Sequence, residues 1–166
     1  MLDPKIEASL NDHLQHEIAS WYLYLAMAAY FDAANLPGSA AWMRKQAGEE
    51  LEHAMKVFDY VSDRDGRVKL QAIAAPPVEF ASITDAWKQA LANEEKVSAF
   101  VGKLYDQAQK AGDHATVALE QWFVTEQVEE EKTVRQLLEQ VEQLGPPSTA
   151  FYFLDRHLGK EAEKGE

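Results

Sequence analysis

Cysteine is absent from the 166 residues, which excludes disulfides, thiolate zinc sites, iron-sulfur clusters and a cysteine nucleophile. Any metal must therefore be held by nitrogen and oxygen. Strand signals are lacking as well, and the few glycines and prolines gather at a handful of breakpoints. No apolar run approaches the ~18 residues of a membrane span. The opening MLDPKIEASL carries acids and no apolar core of signal-peptide length, so the expected location is cytoplasmic, without a membrane partner. Positive charge is the scarce sign: 16 Lys and Arg face 28 Asp and Glu, a net charge of −12. A nucleic-acid surface would need clustered cations, so nucleic acid is not an expected partner, and a cationic one is favoured.

What remains is helix former. Ala, Leu, Glu, Gln and Lys fill long stretches, and a chain of this length supports one core. Asp3 as N-cap and Pro4 in the first turn open a helix that runs to about Ala34, where Asn35-Leu36-Pro37-Gly38 breaks it. A second helix starts near Ser39 and fades in Ser62-Asp63-Arg64-Asp65-Gly66. A third begins near Ser82 to Asp85 and ends at Gly112-Asp113. The fourth runs from about His114 to Leu144, closed by Gly145-Pro146-Pro147. Ser148 then caps a short fifth helix to about Leu158, with a frayed tail from Gly159. The expected organisation is a bundle over 1–145, a C-terminal helix over 146–158 and a tail over 159–166.

Two links are short and imply antiparallel hairpins. The third, Gly66 to Ala81 with Pro76-Pro77 inside it, is long enough to cross the bundle, which makes the second and third helices parallel. The fold class is thus all-α, a four-helix bundle with one long crossover and a short fifth helix. The two hairpins also resemble each other: Glu17 to Glu50 and Glu94 to Gln127 both span 33 positions, and the breakers Asn35 and Gly112 each follow 18 positions after the first acid.

Along each helix the apolar face is interrupted midway by an acid. The first reads Ile6, Leu10, Leu14, Glu17, Trp21, Tyr24, Ala28, Phe31, and the second Met43, Ala47, Glu50, Ala54, Val57, Val61. The third gives Trp87, Leu91, Glu94, Val97, Val101, Leu104, and the fourth Leu119, Phe123, Gln127 with Glu126 beside it, Glu130, Val134, Leu137, Val141. Taking a carboxylate into a low-dielectric core costs several kcal/mol even after relaxation, so a group of them requires something cationic. No Lys or Arg stands at the middle of these faces. One or more metal ions answer the need. Glu50 and His53, at i and i+3, put a carboxylate and an imidazole on one face, a donor set that suits Fe²⁺ or Mn²⁺ and admits Zn²⁺. The reading gives Glu17, Glu50 and His53 to one ion, and Glu50, Glu94 and Gln127 or Glu130 to a second.

Glu17, Tyr24, the run Glu49-Glu50-Leu51-Glu52-His53, Glu94 and the run Glu126-Gln127-Val128-Glu129-Glu130 resemble the non-haem bacterial ferritins, in order and spacing over nearly the whole chain. The resemblance implies a ferritin-like fold and a ferroxidase. Two Fe²⁺ would be oxidised inside the bundle by O₂ or H₂O₂ and passed to a ferric mineral in a hollow homo-oligomer of 24 subunits with 432 symmetry, the fifth helix lining the four-fold axes. It implies a redox-active or hydrogen-bonding Tyr24 beside the iron pair, and a third iron site at Glu49, Glu126, Glu129 and Glu130. Leu51 stands where a bacterioferritin carries its haem-ligating methionine, so no haem is expected, and the second Glu-x-x-His motif is missing. Glu120 resembles an acid of the three-fold pores, although the companion position, Val117, is apolar.

For the other histidines, His13 and His16 read either as supports behind Glu17 or as exposed, with exposed favoured, and His114 and His157 as helix-end residues, with a four-fold axis as the alternative for His157. Trp122 reads as core packing. Two rival functions stay open on the residues alone: a di-iron oxidase or oxygenase working as a small oligomer, and a non-catalytic divalent-metal-binding bundle.

Overall fold

The computed structural model describes residues 2–164, and among them there are five helices and no strand. They are α1 (Pro4–Ala33), α2 (Pro37–Asp63), α3 (Ile83–Ala111), α4 (His114–Leu144) and α5 (Thr149–Glu163). The local chemistry that sets the bounds is the expected one. Asp3 accepts from the amides of Lys5 and Ile6, Ser82 from Asp85, Asp113 from Thr116 and Ser148 from Phe151. Gly112 closes α3 in the left-handed conformation at φ 69°. Two bounds differ from expectation. Pro37 occupies the first turn of α2 behind an N-cap, Leu36, that makes no side-chain bond, so the helix starts two residues before Ser39. Helix α5 continues past Leu158 to Glu163, and of the expected tail only residues 165 and 166 lie outside the described residues.

The crossover between α2 and α3 runs alongside α1. Asn11 near the start of α1 bonds the backbone of Arg67 and Lys69, Gln15 bonds Ala72, and Tyr30 near its end packs edge-on against Phe80. The chain therefore returns to the end at which α2 began before starting α3, which makes α2 and α3 parallel and each helical hairpin antiparallel. Helix α5 folds back mainly onto α2.

The core is cut in two. One apolar cluster holds Tyr24, Met27, Phe31, Met43, Trp87, Val134 and Phe151; the other holds Ile6, Leu10, Leu14, Val57, Val101, Leu104 and Phe123. In each of α1 to α4 the change from one cluster to the other falls where the stripe turns polar: Glu17, Glu50 with His53, Glu94, and Gln127 with Glu130, all buried. On α4 the stripe is shifted by one residue from the expected one: Glu120 and Leu138 are buried, whereas Leu119 and Leu137 are only half-buried.

Candidate metal centre

Within the polar layer, Glu17, Glu50 and His53 bring one donor atom each to within 4.8 Å of the others. His53 Nδ1 lies 3.7 Å from Glu17 Oε2 and 3.7 Å from Glu50 Oε2, too far for a hydrogen bond and suited to donors around one ion at about 2.1 Å. Glu17 Oε2, Glu50 Oε1 and His53 Nδ1 are all buried without a hydrogen-bond partner. Orphaned buried ligand atoms on three side chains of one cluster fit a cation, which would satisfy them together. The His53 ring is held edge-on to Trp122 and Phe123, at 5.5 and 5.8 Å between centroids. Trp122 is not core packing, since it is 38% exposed and carries the Lys56 ammonium 4.3 Å over its ring.

A second group joins His53 to Glu126 and Glu130. This is not the second-ion set expected from sequence. Glu94 stands outside that group and accepts from the Tyr24 hydroxyl, and from Gln127 Nε2 at 3.2 Å. Glu130 accepts from Gln46 Nε2 at 2.6 Å. Of the residues expected at a third iron site, Glu126 and Glu130 stand together, Glu49 is half-buried beside Lys45 at 3.8 Å, and Glu129 is 68% exposed next to Lys132. The structure thus leaves Glu129 out of the cluster.

The electrostatics follow from crowding. Burial raises the Glu50 carboxyl well above the usual range, and the neighbouring Glu94 and Glu17 add to the rise. Burial likewise raises Glu94 against the bonds it receives from Tyr24 and Gln127, and raises Glu130 to about 8 with help from Glu94 and Glu49. Glu17 is the exception: burial would raise it, but His13 and His53 hold it down at about 2. Burial would lower His53, and the Glu17 and Glu50 carboxylates outweigh it, lifting the imidazole to about 11. Burial with the Glu94 and Glu50 charges drives the Tyr24 phenol well above 10, so it remains a donor.

Two expectations are overturned on the far side of Glu17. His13 is not exposed but fully buried, with Nε2 2.8 Å from Glu17 Oε1 and Nδ1 3.1 Å from Glu120 Oε1. Glu120 is likewise fully buried inside the subunit and faces no pore. The signal for both was the helical period: His13 falls at i+3 from Leu10 and i−4 from Glu17, and Glu120 at i−3 from Phe123 and i−7 from Gln127. Gln46, four residues before Glu50, was also readable this way. His16 is half-buried against Phe100, and His114 is exposed at the start of α4; His157 is exposed but lies mid-helix rather than at an end, because α5 runs on to Glu163.

The family model of the ferritin-like domain matches residues 7–144, nearly the whole four-helix bundle, including the Glu17, Glu50 and His53 cluster. The chain belongs to the ferritin family. Among relatives of this ferritin-family chain, the bacterial non-heme ferritin of Staphylococcus haemolyticus is 37% identical over 158 residues, 95% of each chain. That of Staphylococcus aureus strain USA300 is 34% identical over 159 residues, 96% of each. Among solved structures, an open-pore ferritin from the hyperthermophilic archaeon Archaeoglobus fulgidus superposes with a TM-score of 0.94 at 42% identity, covering 96% of this chain and 98% of that one. A humanized archaeal ferritin gives 0.94 at 41% identity, with 96% of each covered. The ferritin-like fold expected from the motifs is the fold observed. Among the described residues no helix of this ferritin-family bundle is long and apolar enough to cross a membrane.

Proposed function

We propose that this chain is an iron-storage ferroxidase, and the observation that carries the proposal is the set of three orphaned buried donors, Glu17 Oε2, Glu50 Oε1 and His53 Nδ1, within the polar layer. Fe²⁺ is the substrate. One ion takes Glu17, Glu50 and His53; a second shares Glu50 and lies toward Glu94, Gln127 and Glu130. Each Fe²⁺ gives up one electron, and O₂ takes two electrons and two protons to leave as H₂O₂; with H₂O₂ as oxidant the same two electrons and two protons yield two waters. The carboxylates offset the added charge of Fe³⁺, and the Tyr24 hydroxyl steadies Glu94. Glu126 and Glu130, with His53, provide the exit side, from which Fe³⁺ moves to a mineral store.

Storage requires an enclosure, for which a homo-oligomer of 24 subunits is the proposed form. Supporting it, this chain leaves large apolar side chains exposed, among them Tyr152 and Phe153 on α5, Leu70 and Val78 on the crossover and Val128 on α4. Because Glu120 is sealed inside the bundle, iron enters the enclosure by a route that does not use it.

Aerobic addition of Fe²⁺ followed by size exclusion tests the function. Rapid oxidation of many irons per chain, eluting with a very large particle, is the expected result. One turnover per site in a small oligomer would move the assignment to an oxidase of an organic substrate, and oxidation no faster than in buffer would leave only a structural metal site.

Affinity for the metal should rise with pH. Glu50, Glu94 and Glu130 have raised pKa values, so without metal they retain protons where a free glutamate is ionised, and His53 is an imidazolium below about 11. A cation binds the deprotonated forms and must expel those protons, whereas Glu17, at about 2, has none to lose. Anaerobic Co²⁺ calorimetry in buffers of different ionisation enthalpy should record net proton release, with affinity climbing between about pH 6 and 8 by up to roughly tenfold per unit for each proton displaced. Affinity independent of pH would contradict the described protonation.

Tyr24→Phe removes the hydroxyl that Glu94 accepts from and leaves the ring packing intact. The rapid phase of oxidation should slow about tenfold, as expected for loss of a group that orients a ligand, with the number of irons bound unchanged. Stopped-flow absorbance against anaerobic binding stoichiometry separates the two.

A further inference from the structure

Glu17 is the carboxylate of the polar layer whose two oxygens have separate duties. Oε1 accepts from His13 Nε2 at 2.8 Å, while Oε2 has no hydrogen-bond partner and faces His53. Behind it, His13 turns Nδ1 to Glu120 Oε1 at 3.1 Å. All three side chains are fully buried, and the His13 ring is clamped edge-on by Phe123 at 4.4 Å between centroids. An ionised carboxylate oxygen only accepts, so His13 Nε2 donates to Glu17 Oε1, while Nδ1 shares its hydrogen bond with Glu120 Oε1. The chain Glu120, His13, Glu17 thus links α4 to the metal-facing side of α1.

Fold stability does not account for this arrangement. Two acids and an imidazole in an apolar cluster cost desolvation, one oxygen of Glu120 is buried without a partner, and apolar side chains of similar volume usually do as well or better in such places. What the chain of bonds does accomplish is to fix the plane of the Glu17 carboxylate. We propose that His13, anchored by Glu120, is a positioning residue that occupies Oε1 and so makes Glu17 a one-oxygen ligand presenting Oε2 to the metal. Without it the carboxylate is free to turn and to chelate through both oxygens, which changes the coordination number and the fit of the site. The inference rests on Glu17, Glu50 and His53 being the metal site, and its test keeps the two apart.

Anaerobic Co²⁺ titration of the assembled protein, followed by the visible absorption of bound Co²⁺, reads both affinity and coordination geometry. In Glu50→Ala the high-affinity Co²⁺ signal should vanish. His13→Phe keeps the ring and removes both ring nitrogens; it should weaken Co²⁺ binding by about 10- to 100-fold and alter the shape and intensity of the spectrum. His13→Gln, whose amide can still donate to Oε1, should recover most of the affinity and the parent spectrum. Glu120→Leu leaves His13 without its anchor and gives an independent arm if His13→Phe does not fold: affinity about tenfold weaker, with a lower thermal midpoint because the buried Nδ1 loses its partner. Unchanged affinity and spectrum in His13→Phe or Glu120→Leu, beside a lost signal in Glu50→Ala, overturns the positioning role alone. An unchanged signal in Glu50→Ala overturns the metal site itself.

Discussion

Replacing Glu50 by leucine is expected to abolish rapid Fe²⁺ oxidation and at the same time to make the metal-free protein more stable. The two effects have one cause. Glu50 is 2% exposed, its Oε1 has no partner, and burial together with the Glu94 and Glu17 charges raises its pKa. In the absence of metal the carboxyl is therefore a cost, and an apolar residue of similar size should recover about 1–3 kcal/mol of it. For a chain of this size that is a rise of several degrees in the thermal midpoint, at about 2–4 °C per kcal/mol. Function moves the other way, because Glu50 is the ligand shared by both proposed ions. Loss of groups that merely orient a ligand costs 10- to 100-fold, so loss of the ligand itself should cost at least about 100-fold in the rapid phase. Calorimetric melting of the metal-free variant and stopped-flow oxidation check the pair of outcomes. A variant that oxidises iron at the parent rate sinks the site assignment; one that is slow and also much less stable would mean that Glu50 serves the fold.

How much of this was legible in the sequence depends on whether a residue answers to its own helix or to another. Glu17, Glu50, His53 and Glu94 interrupt apolar stripes, and the period of one helix is enough to place each of them in the core. The crossover was readable from its length and from Pro76-Pro77, because nothing shorter returns the chain to the other end of a bundle. Stripe reading was ambiguous by one residue on α4, where Leu119 and Glu120 are adjacent. Hydrophobicity favours Leu119, but the helix turns Glu120 inward, because His13 on α1 supplies the partner that makes its burial possible. That partner is 107 positions away in sequence, so neither residue explained itself alone. The same holds for the second metal group. Glu94 at mid-stripe looked like a free ligand, and only the packing of α1 and α4 against α3 engages it with Tyr24 and Gln127. Glu129 enters the expected third site only through the family resemblance, and the period of α4 places it on the wet face beside Lys132.

Gly38→Ala should be among the most damaging single-methyl additions this chain can receive, and Gly48→Ala in the same helix should be harmless or better. A Cβ on Gly38 would lie 1.7 Å from the Asp155 carbonyl oxygen and 2.6 Å from its carbonyl carbon, a contact with backbone that no rotamer relieves. The closeness has a purpose. Asp155 on α5 accepts from the amides of Gly38 and Ser39 and from the Ser39 hydroxyl at 3.0, 2.7 and 2.7 Å, capping from another helix the N-terminus of α2 that Leu36 leaves without a side-chain cap. Added bulk at position 38 must push α5 away, which breaks three charge-assisted bonds and withdraws Phe151, Leu154 and Leu158 from the core. The expected cost is at least about 3 kcal/mol, with proteolytic cleavage appearing first in α5 and the oligomer weakened in size exclusion if Tyr152 and Phe153 pack between subunits. Gly48 has nothing within 4 Å of its would-be Cβ and lies on an exposed face of α2, so alanine there should gain about 0.5–1 kcal/mol from helix propensity. Comparing the two removes the general effect of the substitution. Equal melting points for the two variants, with α5 protected in both, would show that the α2–α5 contact yields without cost and that α5 is not fixed by Asp155.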